Sequence, residues 1–339
     1  MNDPHSEHKS RITPLRRALY NFEGAQVALA LRDLVAPDAQ CHICHPFGTI
    51  EGPQALYDTL YAPLCAALPD LEFRDAIVMA GPDDHGHHWV GCSGHIMGTF
   101  TAPWLDIPAT GHVIHMRYHE FYRFKEGRVV EVQAIWDIPE LMMQAGAWPM
   151  VPPLGREMCV PCPAPQNGHV PRPWDAEHAE ASKRHITEML DHMIKFPSQG
   201  GPEVMEMPRF WHPKMNWYGP AGIGTARGIS GFRKWHQTPF LNAMPDRGQF
   251  NDQITFHFFG DGDFAAVTGW PNMIQTITGD GWLGIAPAGQ TISLRSLDFW
   301  RLEEGLIREN WVLVDLLDIY RQVGIDVLAR MRALTAAGG

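Results

Sequence analysis

The sequence predicts an α+β protein of two tandem cone-shaped domains, each a curved antiparallel sheet wrapped around helices. A long internal repeat and a shared order of elements lead to this prediction. Residues 104–146 align without a gap onto 282–324, with 14 identities in 43 positions, where ordinary residue usage gives about one match in sixteen. Residues 37–72 align in the same way onto 213–248. A repeat of roughly 130–150 residues is long enough for each copy to bury its own core.

Each copy has the order helix, strand, helix and then a run of strands. In the first copy, residues 13–35 have helical apolar spacing with a break at Gly24. Residues 40–45 form a short predicted strand, and Gly52-Pro53 begins a second helix because proline suits the first helical turn. Turn residues then separate four predicted strands, near 71–80, 87–100, 111–124 and 128–137. A bent sheet with helices on one face encloses an apolar interior, which suits a small molecule.

A proline-rich segment divides the two copies. Eight prolines occur among residues 147–173. Since proline lacks an amide donor and fixes φ, this segment is predicted to be an extended linker. The predicted domains are residues 1–146 and 174–330, with a flexible tail at 331–339. We expect the domains to form an intramolecular pseudo-dimer, and a homo-oligomer is left open.

Composition disfavours polyanionic partners. The formal net charge is −11, and no run of five or more Lys or Arg occurs, so neither nucleic acid nor a membrane is an expected partner. The amino-terminal residues are polar with no apolar block after them, and six cysteines are too few for a disulfide scaffold. These features predict a cytoplasmic protein.

The end of each copy carries the pattern R-x-x-E-G-x-x-x-E, then D, then Q-x-G, at residues 123–146 and 301–324. Weaker motifs are the G-T-x-x-G helix starts at 48–52 and 224–228, H-P-x-M-N-W at 212–217, and a glycine- and histidine-containing strand at 91–98. With these motifs the chain resembles the SnoaL-like polyketide cyclase family of the nuclear-transport-factor-2-like superfamily. The resemblance implies the cone fold and acid/base chemistry.

The resemblance also locates the residues of the cyclase acid/base pair. In those cyclases a histidine lies three residues before the pattern's arginine, and an aspartate lies seven residues after its turn glycine. Here the histidine position holds Glu120 and Asp298, and the aspartate position holds Ala134 and Val312. The pair is therefore replaced in both copies.

Glu120 and Asp298 are the predicted catalytic groups, because each is a single carboxylate on a largely apolar strand face. Desolvation there would raise the carboxyl pKa toward neutrality and suit a general acid or base. The alternative is that each acid is solvated or pairs with an arginine. His95 is a third catalytic candidate, expected to share protons with Glu120, or else a structural buried histidine. The predicted substrate-binding residues are Tyr118, Trp136, Trp89, Trp217, Trp300 and Asn310.

Metal and cofactor sites are not predicted. Residues three apart on a strand point to opposite faces, so Cys41 and Cys44 do not suit one ion, and the second C-x-x-C pair lies in the linker. The cluster His85, His87 and His88 is predicted to lie in a solvated hairpin turn.

The leading hypothesis is an enzyme performing cofactor-independent cyclisation, isomerisation or hydrolysis on a hydrophobic oxygenated substrate of polyketide type. The alternative is a non-catalytic protein that binds such a ligand, and a C-x-x-C metal module is the weakest idea.

Overall fold

The computed structural model describes residues 3–170, 173–196 and 198–337. The chain divides into two compact units. The first contains the described residues of 1–149, 161–174 and 326–339, and the second those of 150–160 and 175–325. Each unit holds one copy of the repeat.

The elements of the first copy follow the predicted order of helices and strands. They are α1 Pro4–Asn21, α2 Gly24–Leu34, β1 Val35–Ile43, β2 Gly48–Glu51, α3 Gly52–Leu56, a π-helical turn Tyr57–Tyr61, α4 Ala62–Ala67, β3 Glu72–Pro82, β4 His88–Thr99, β5 Val113–Lys125, β6 Arg128–Trp136 and α5 Ile138–Gln144.

The second copy repeats this order with shorter strands and has two further strands, β11 (Met273–Thr276) and β12 (Thr291–Leu294), that pair in a separate two-stranded sheet. Its elements are α6 Ala176–Met193, α7 Met207–Phe210, β7 Trp211–Tyr218, β8 Thr225–Arg227, α8 Gly228–Phe232, a π-helical turn Arg233–Gln237, α9 Thr238–Ala243, β9 His257–Asp261, β10 Phe264–Thr268, β11 Met273–Thr276, β12 Thr291–Leu294, β13 Ser296–Glu303, β14 Leu306–Val314 and α10 Leu316–Gln322, with 3-10 turns at Pro202–Met205 and Asn251–Gln253.

Each copy forms a six-stranded sheet, in the order β2-β1-β6-β5-β4-β3 and β8-β7-β14-β13-β10-β9. The sheets are mixed rather than wholly antiparallel, since β1 runs parallel to β6 and β7 runs parallel to β14. The chain can return in the parallel direction because helices and further strands lie between β1 and β6 and between β7 and β14. The prediction of a curved sheet with helices is confirmed. The prediction that all its strands are antiparallel is wrong for one pair in each copy.

Local sequence explains where the helices begin. Asp3 caps α1 by accepting hydrogen bonds from the amides of His5 and Ser6 at 3.0 and 3.1 Å. Gly52, before α3, has a φ of 77°, and a Cβ there would lie 2.4 Å from the carbonyl oxygen of Pro37. Only glycine suits this helix start, as the G-T-x-x-G motif requires.

The linker and the carboxyl terminus differ from the simplest sequence expectation. Residues 150–160 belong to the second unit and 161–170 to the first. Val327–Ala337 form a further helix, α11, which belongs to the first unit, where a flexible tail was expected. It is ordered because Val327, Leu328 and Met331 are buried. Linker residues 171–172 and tail residues 338–339 lie outside the described residues.

Within the described part of the chain, no helix combines the length and apolar character required to span a bilayer.

Candidate functional site

The two predicted acids occupy equivalent positions in the middle of their sheets. Glu120 on β5 lies directly opposite Ala134 of β6, and Asp298 on β13 lies opposite Val312 of β14. The two positions of the cyclase pair are thus direct cross-strand neighbours in each copy. A carboxylate and a small or branched apolar residue occupy them here.

In the first copy, Glu120 is surrounded by hydrogen-bond donors. It is 1% exposed. Arg16 Nη1 donates to its Oε2 at 2.5 Å, and the Tyr122 hydroxyl donates to the same oxygen at 2.7 Å. Trp136 Nε1 donates to Oε1 at 3.0 Å. Both carboxylate oxygens are therefore hydrogen-bonded within the protein.

Arg16 links Glu120 to a second carboxylate. Its Nη2 and Nε donate to Asp75 at 2.6 and 3.0 Å, and Nη2 also donates to the Tyr118 hydroxyl at 2.8 Å. Tyr118 in turn donates to Asp75. Burial opposes the guanidinium charge, but Asp75 and its neighbours raise the pKa of Arg16 well above its ordinary value. The interior beside Glu120 thus contains a closed ion network.

The second copy has a leucine at the place of Arg16. The buried residues of α1 and α6 recur at the same intervals, so the two helices can be aligned position by position. In this alignment Leu190 is equivalent to Arg16. The matched buried pairs are His5 with Ala179, His8 with Ser182, Ile12 with Ile186, Leu15 with Met189 and Leu19 with Met193. A leucine is too short and too apolar to reach and neutralise a carboxylate on the sheet.

A cavity of about 110 Å³ lies at this position in the second copy, with Leu190 and Asp298 in its lining. A neighbouring cavity of about 200 Å³ is lined in part by the same residues. The residues common to both linings are Leu190, Arg247, Phe256, Phe258 and Met273. Both cavities are mainly apolar, as small-molecule sites usually are.

Charged and polar groups converge on the first cavity. Asp298 Oδ1 accepts a hydrogen bond from Ser296 Oγ at 2.6 Å. Asn272 holds Ser296 in place, since its Nδ2 donates to the Ser296 carbonyl at 2.6 Å and its Oδ1 accepts from the Ser296 amide at 2.9 Å. Burial lowers the pKa of Arg247 to about 10, and the nearby Asp298 charge acts in the opposite direction. At neutral pH the cavity wall therefore contains a guanidinium cation.

Three indole donors and one imidazole nitrogen in the cavity lining have no protein partner. Among the residues described, the indole Nε1 atoms of Trp211, Trp282 and Trp300 and the Nδ1 atom of His236 are buried without a hydrogen bond. Buried polar groups are nearly always paired, so a cluster of unpaired donors needs an explanation.

His236 is held as a neutral imidazole. Its ring stacks on Trp217 with centroids 4.0 Å apart. Burial, and then the Arg247 charge, lower the pKa of His236 to about 3. Its neutral ring can accept or donate one hydrogen bond in the cavity.

The structure brings together the predicted residues of the second copy. Asp298, Trp217, Trp300 and Asn310 all line the first cavity. The Asn310 amide is anchored, since its Nδ2 donates to the Phe299 carbonyl at 3.0 Å. In the first copy, Tyr118 and Trp136 belong to the Arg16 network described above.

The expected proton sharing between His95 and Glu120 is wrong. His95 on β4 lies opposite Arg117, whereas Glu120 lies opposite Cys92. Because side chains alternate along a strand, His95 and Glu120 point to opposite faces of the sheet. The His95 ring lies 6.1 Å from that of His115, and burial lowers its pKa to about 4.

Trp89 also lies on the face away from Glu120. It pairs in register with Arg123, and its indole nitrogen donates to Asp83 at 3.0 Å. Trp89 therefore anchors the β3–β4 hairpin and lies apart from the Glu120 network.

Sequence reasoning missed the cations that face the two acids. A signal existed for Arg16, because it is a lone charge on a helix face that contains the buried residues Ile12, Leu15 and Leu19. Arg247 follows Pro245-Asp246 in an irregular segment. No periodic pattern in the sequence predicts that its side chain lies near Asp298.

Comparison with known proteins agrees with this architecture. The family model described as SnoaL-like polyketide cyclase matches residues 15–145 and again 201–323. The chain belongs to the SnoaL-like polyketide cyclase family. The two matched regions correspond to the two copies, which makes the chain a tandem duplication within that family. No curated protein matches the chain significantly.

Two of the similar solved structures are from Streptomyces species, and each covers less than half of this chain. AclR from Streptomyces galilaeus, provisionally assigned as a hydroxylase, is 20% identical over 44% of this chain and 86% of its own, with a TM-score of 0.36. IdmH from Streptomyces antibioticus, provisionally assigned as a polyketide cyclase, is 24% identical over 41% of this chain and 99% of its own, with a TM-score of 0.35.

Replacement of Arg16 by leucine should destabilise the protein by about 3–5 kcal/mol, because it leaves the buried carboxylates of Glu120 and Asp75 without their cation. Chemical denaturation measures this loss. The control is Arg17→Leu, which changes the adjacent exposed arginine and should alter the free energy of unfolding by less than about 0.5 kcal/mol. Equal effects of the two variants would contradict the network's structural role.

The lowered pKa of His236 predicts a stability that depends on pH. The unfolded chain binds this proton with a pKa near 6.5, and the folded chain with a pKa of about 3. The contribution of His236 is therefore complete above about pH 6.5 and is lost as pH falls toward 3. Thermal midpoints between pH 4 and 7.5 should decline less steeply for His236→Phe than for the wild type. Identical slopes would show that His236 is solvated.

Proposed function

We propose that the second copy binds a hydrophobic, oxygenated small molecule and that Asp298 transfers a proton to or from it without a cofactor. The observation that carries this proposal is the convergence of Asp298, Arg247 and unpaired ring donors on one apolar cavity. Membership of a cyclase family is consistent with it. A polyketide-type ketone has the required chemistry.

The chemistry of the lining selects the ligand class. Aromatic and aliphatic side chains favour a flat apolar body, while the N–H groups of Trp211, Trp282 and Trp300 require acceptors. Carbonyl oxygens on an aromatic or cyclic skeleton meet both conditions. The two adjoining cavities, about 110 and 200 Å³, together approach the lower end of the range for small-molecule sites, about 300 Å³.

The proposed step is proton abstraction next to a carbonyl group. The Asp298 carboxylate takes the proton from the α-carbon, the C–H electron pair forms the enolate, and the negative charge moves to oxygen. Arg247 and an indole N–H stabilise that oxygen electrostatically in a site of low polarity. The enolate then attacks a second carbonyl or is reprotonated at another carbon, and Asp298 returns the proton. Cyclisation and isomerisation share this first step.

In the first copy the proposal assigns Glu120 to a structural role. Its two oxygens already accept hydrogen bonds from Arg16, Tyr122 and Trp136. A general base needs an oxygen that can reach a substrate proton. Catalysis is therefore assigned to the copy in which leucine replaces the buried arginine.

Asp298→Asn tests the base directly. With α-tetralone as a small aryl ketone, incorporation of solvent deuterium at the α-carbon reports proton abstraction whatever the natural product is. We expect a loss of about 100-fold or more in the exchange rate, with binding by the variant largely retained.

The matched control is Asp252→Asn, which changes an exposed aspartate of the same unit and should leave exchange unchanged. Undiminished exchange in Asp298→Asn would refute the assignment. Saturable binding by the wild type with no exchange above the buffer rate would favour the non-catalytic binding protein.

Trp300→Phe tests the ligand class, because it keeps an aromatic side chain and removes the unpaired N–H. Affinity for an aryl ketone should fall by roughly tenfold, the value of one hydrogen bond. Affinity for naphthalene, which has a similar shape and no oxygen, should be nearly unchanged. Isothermal titration with both probes measures the difference, and equal losses would contradict a hydrogen bond to the ligand.

A further inference from the structure

Three histidines of the first unit converge at the amino-terminal end of α1. His5 and His8 lie one turn apart on the buried face of the helix, and His88 begins β4. One ring nitrogen from each lies within 4.8 Å of the other two. His5 and His8 are 3% and 9% exposed, and His88 is half-buried.

One ring nitrogen of each histidine has no partner in the protein. In the described residues, the Nδ1 atom of each of the three rings is buried and has no hydrogen-bond partner. Three such atoms in one place are exceptional, since buried polar atoms are nearly always paired. A bound cation would give the three rings a shared partner.

We propose that His5, His8 and His88 form a binding site for a divalent transition-metal ion of the zinc class. Imidazole nitrogens are preferred ligands of such ions. In tetrahedral zinc geometry two ligand nitrogens lie about 3.4 Å apart, so small rotations of the three rings suffice. The half-buried position of His88 leaves a fourth coordination position for water.

Neighbouring aromatic rings pack against two of the three histidines. His5 packs against Trp174 with ring centroids 4.4 Å apart, and His8 stacks on Phe124 at 4.5 Å. Asp3 fixes the helix start, since its Oδ2 also accepts a hydrogen bond from the Trp174 amide at 2.7 Å. A prearranged donor set of this kind binds a cation without a large ordering cost.

The second copy provides an internal comparison. The helix positions that match His5 and His8 hold Ala179 and Ser182. Phe264 pairs with Arg301 as Trp89 pairs with Arg123, its counterpart in the repeat. Phe264 is therefore equivalent to Trp89, and Asp263, the residue before it, is equivalent to His88. The cluster is therefore a feature of the first copy and separate from the proposed catalytic cavity.

The test uses the full chain, stripped of metal by a chelator and then titrated with ZnCl2. We expect one Zn²⁺ per chain by elemental analysis and a higher thermal midpoint with zinc, since an ion that binds the folded state stabilises it. Mg²⁺ should give no shift, because it prefers oxygen ligands. The absence of zinc uptake by folded protein would overturn the proposal.

Variants locate the site. His8→Ala and His88→Ala should each weaken zinc binding by roughly tenfold or more, and the exposed-residue control His112→Ala should bind normally. Circular dichroism without metal checks folding, and His88→Gln provides a milder variant. Zinc uptake that persists in the histidine variants and disappears in Cys159→Ser with Cys162→Ser would place the ion on the linker and refute this site.

Discussion

The buried carboxylate of Glu120 in the middle of the first sheet needs a cation, and the different surroundings of its counterpart Asp298 distinguish the two copies. An isolated buried carboxylate costs several kcal/mol. In the first copy Arg16 meets that need from within the protein, at 2.5 Å from Glu120. In the second copy the corresponding helix position is Leu190, and a cavity lies beside Asp298. The first copy thus holds its carboxylate in an ion network, whereas the second has a cavity beside its own.

This difference explains how one duplicated fold can contain two kinds of site. The strand registers around Glu120 and Asp298 are equivalent, so the sheets do not distinguish the copies. The side chains around these acids do. Arg16 of α1 and Asp75 of β3 form the network beside Glu120, whereas Arg247 and His236 line the cavity beside Asp298. The histidine cluster follows the same pattern, with ligating groups in one copy and Ala179 and Ser182 in the other.

Much of the second site could be predicted from the sequence, and much of the first could not. Alternation along β13 placed Asp298 and Trp300 on one face, and both line the cavity. The same reasoning placed Glu120 on the inner face of β5, but it paired Glu120 with His95, which the register sets on the other side. The register of β4 against β5 decides which of their residues share a face of the sheet, and a shift of one residue moves a side chain to the other face.

The sequence by itself determined the duplication, the order of the elements and the α+β class, because these depend on local spacing, turn residues and repeated motifs such as Gly52-Pro53. Only the tertiary structure decided which acid lies in a hydrogen-bonded ion network and which faces a cavity. That outcome depends on residues far apart in the chain, such as Arg16 with Glu120 and Arg247 with Asp298. Their approach follows from how a helix or loop packs on the sheet, which local periodicity does not encode.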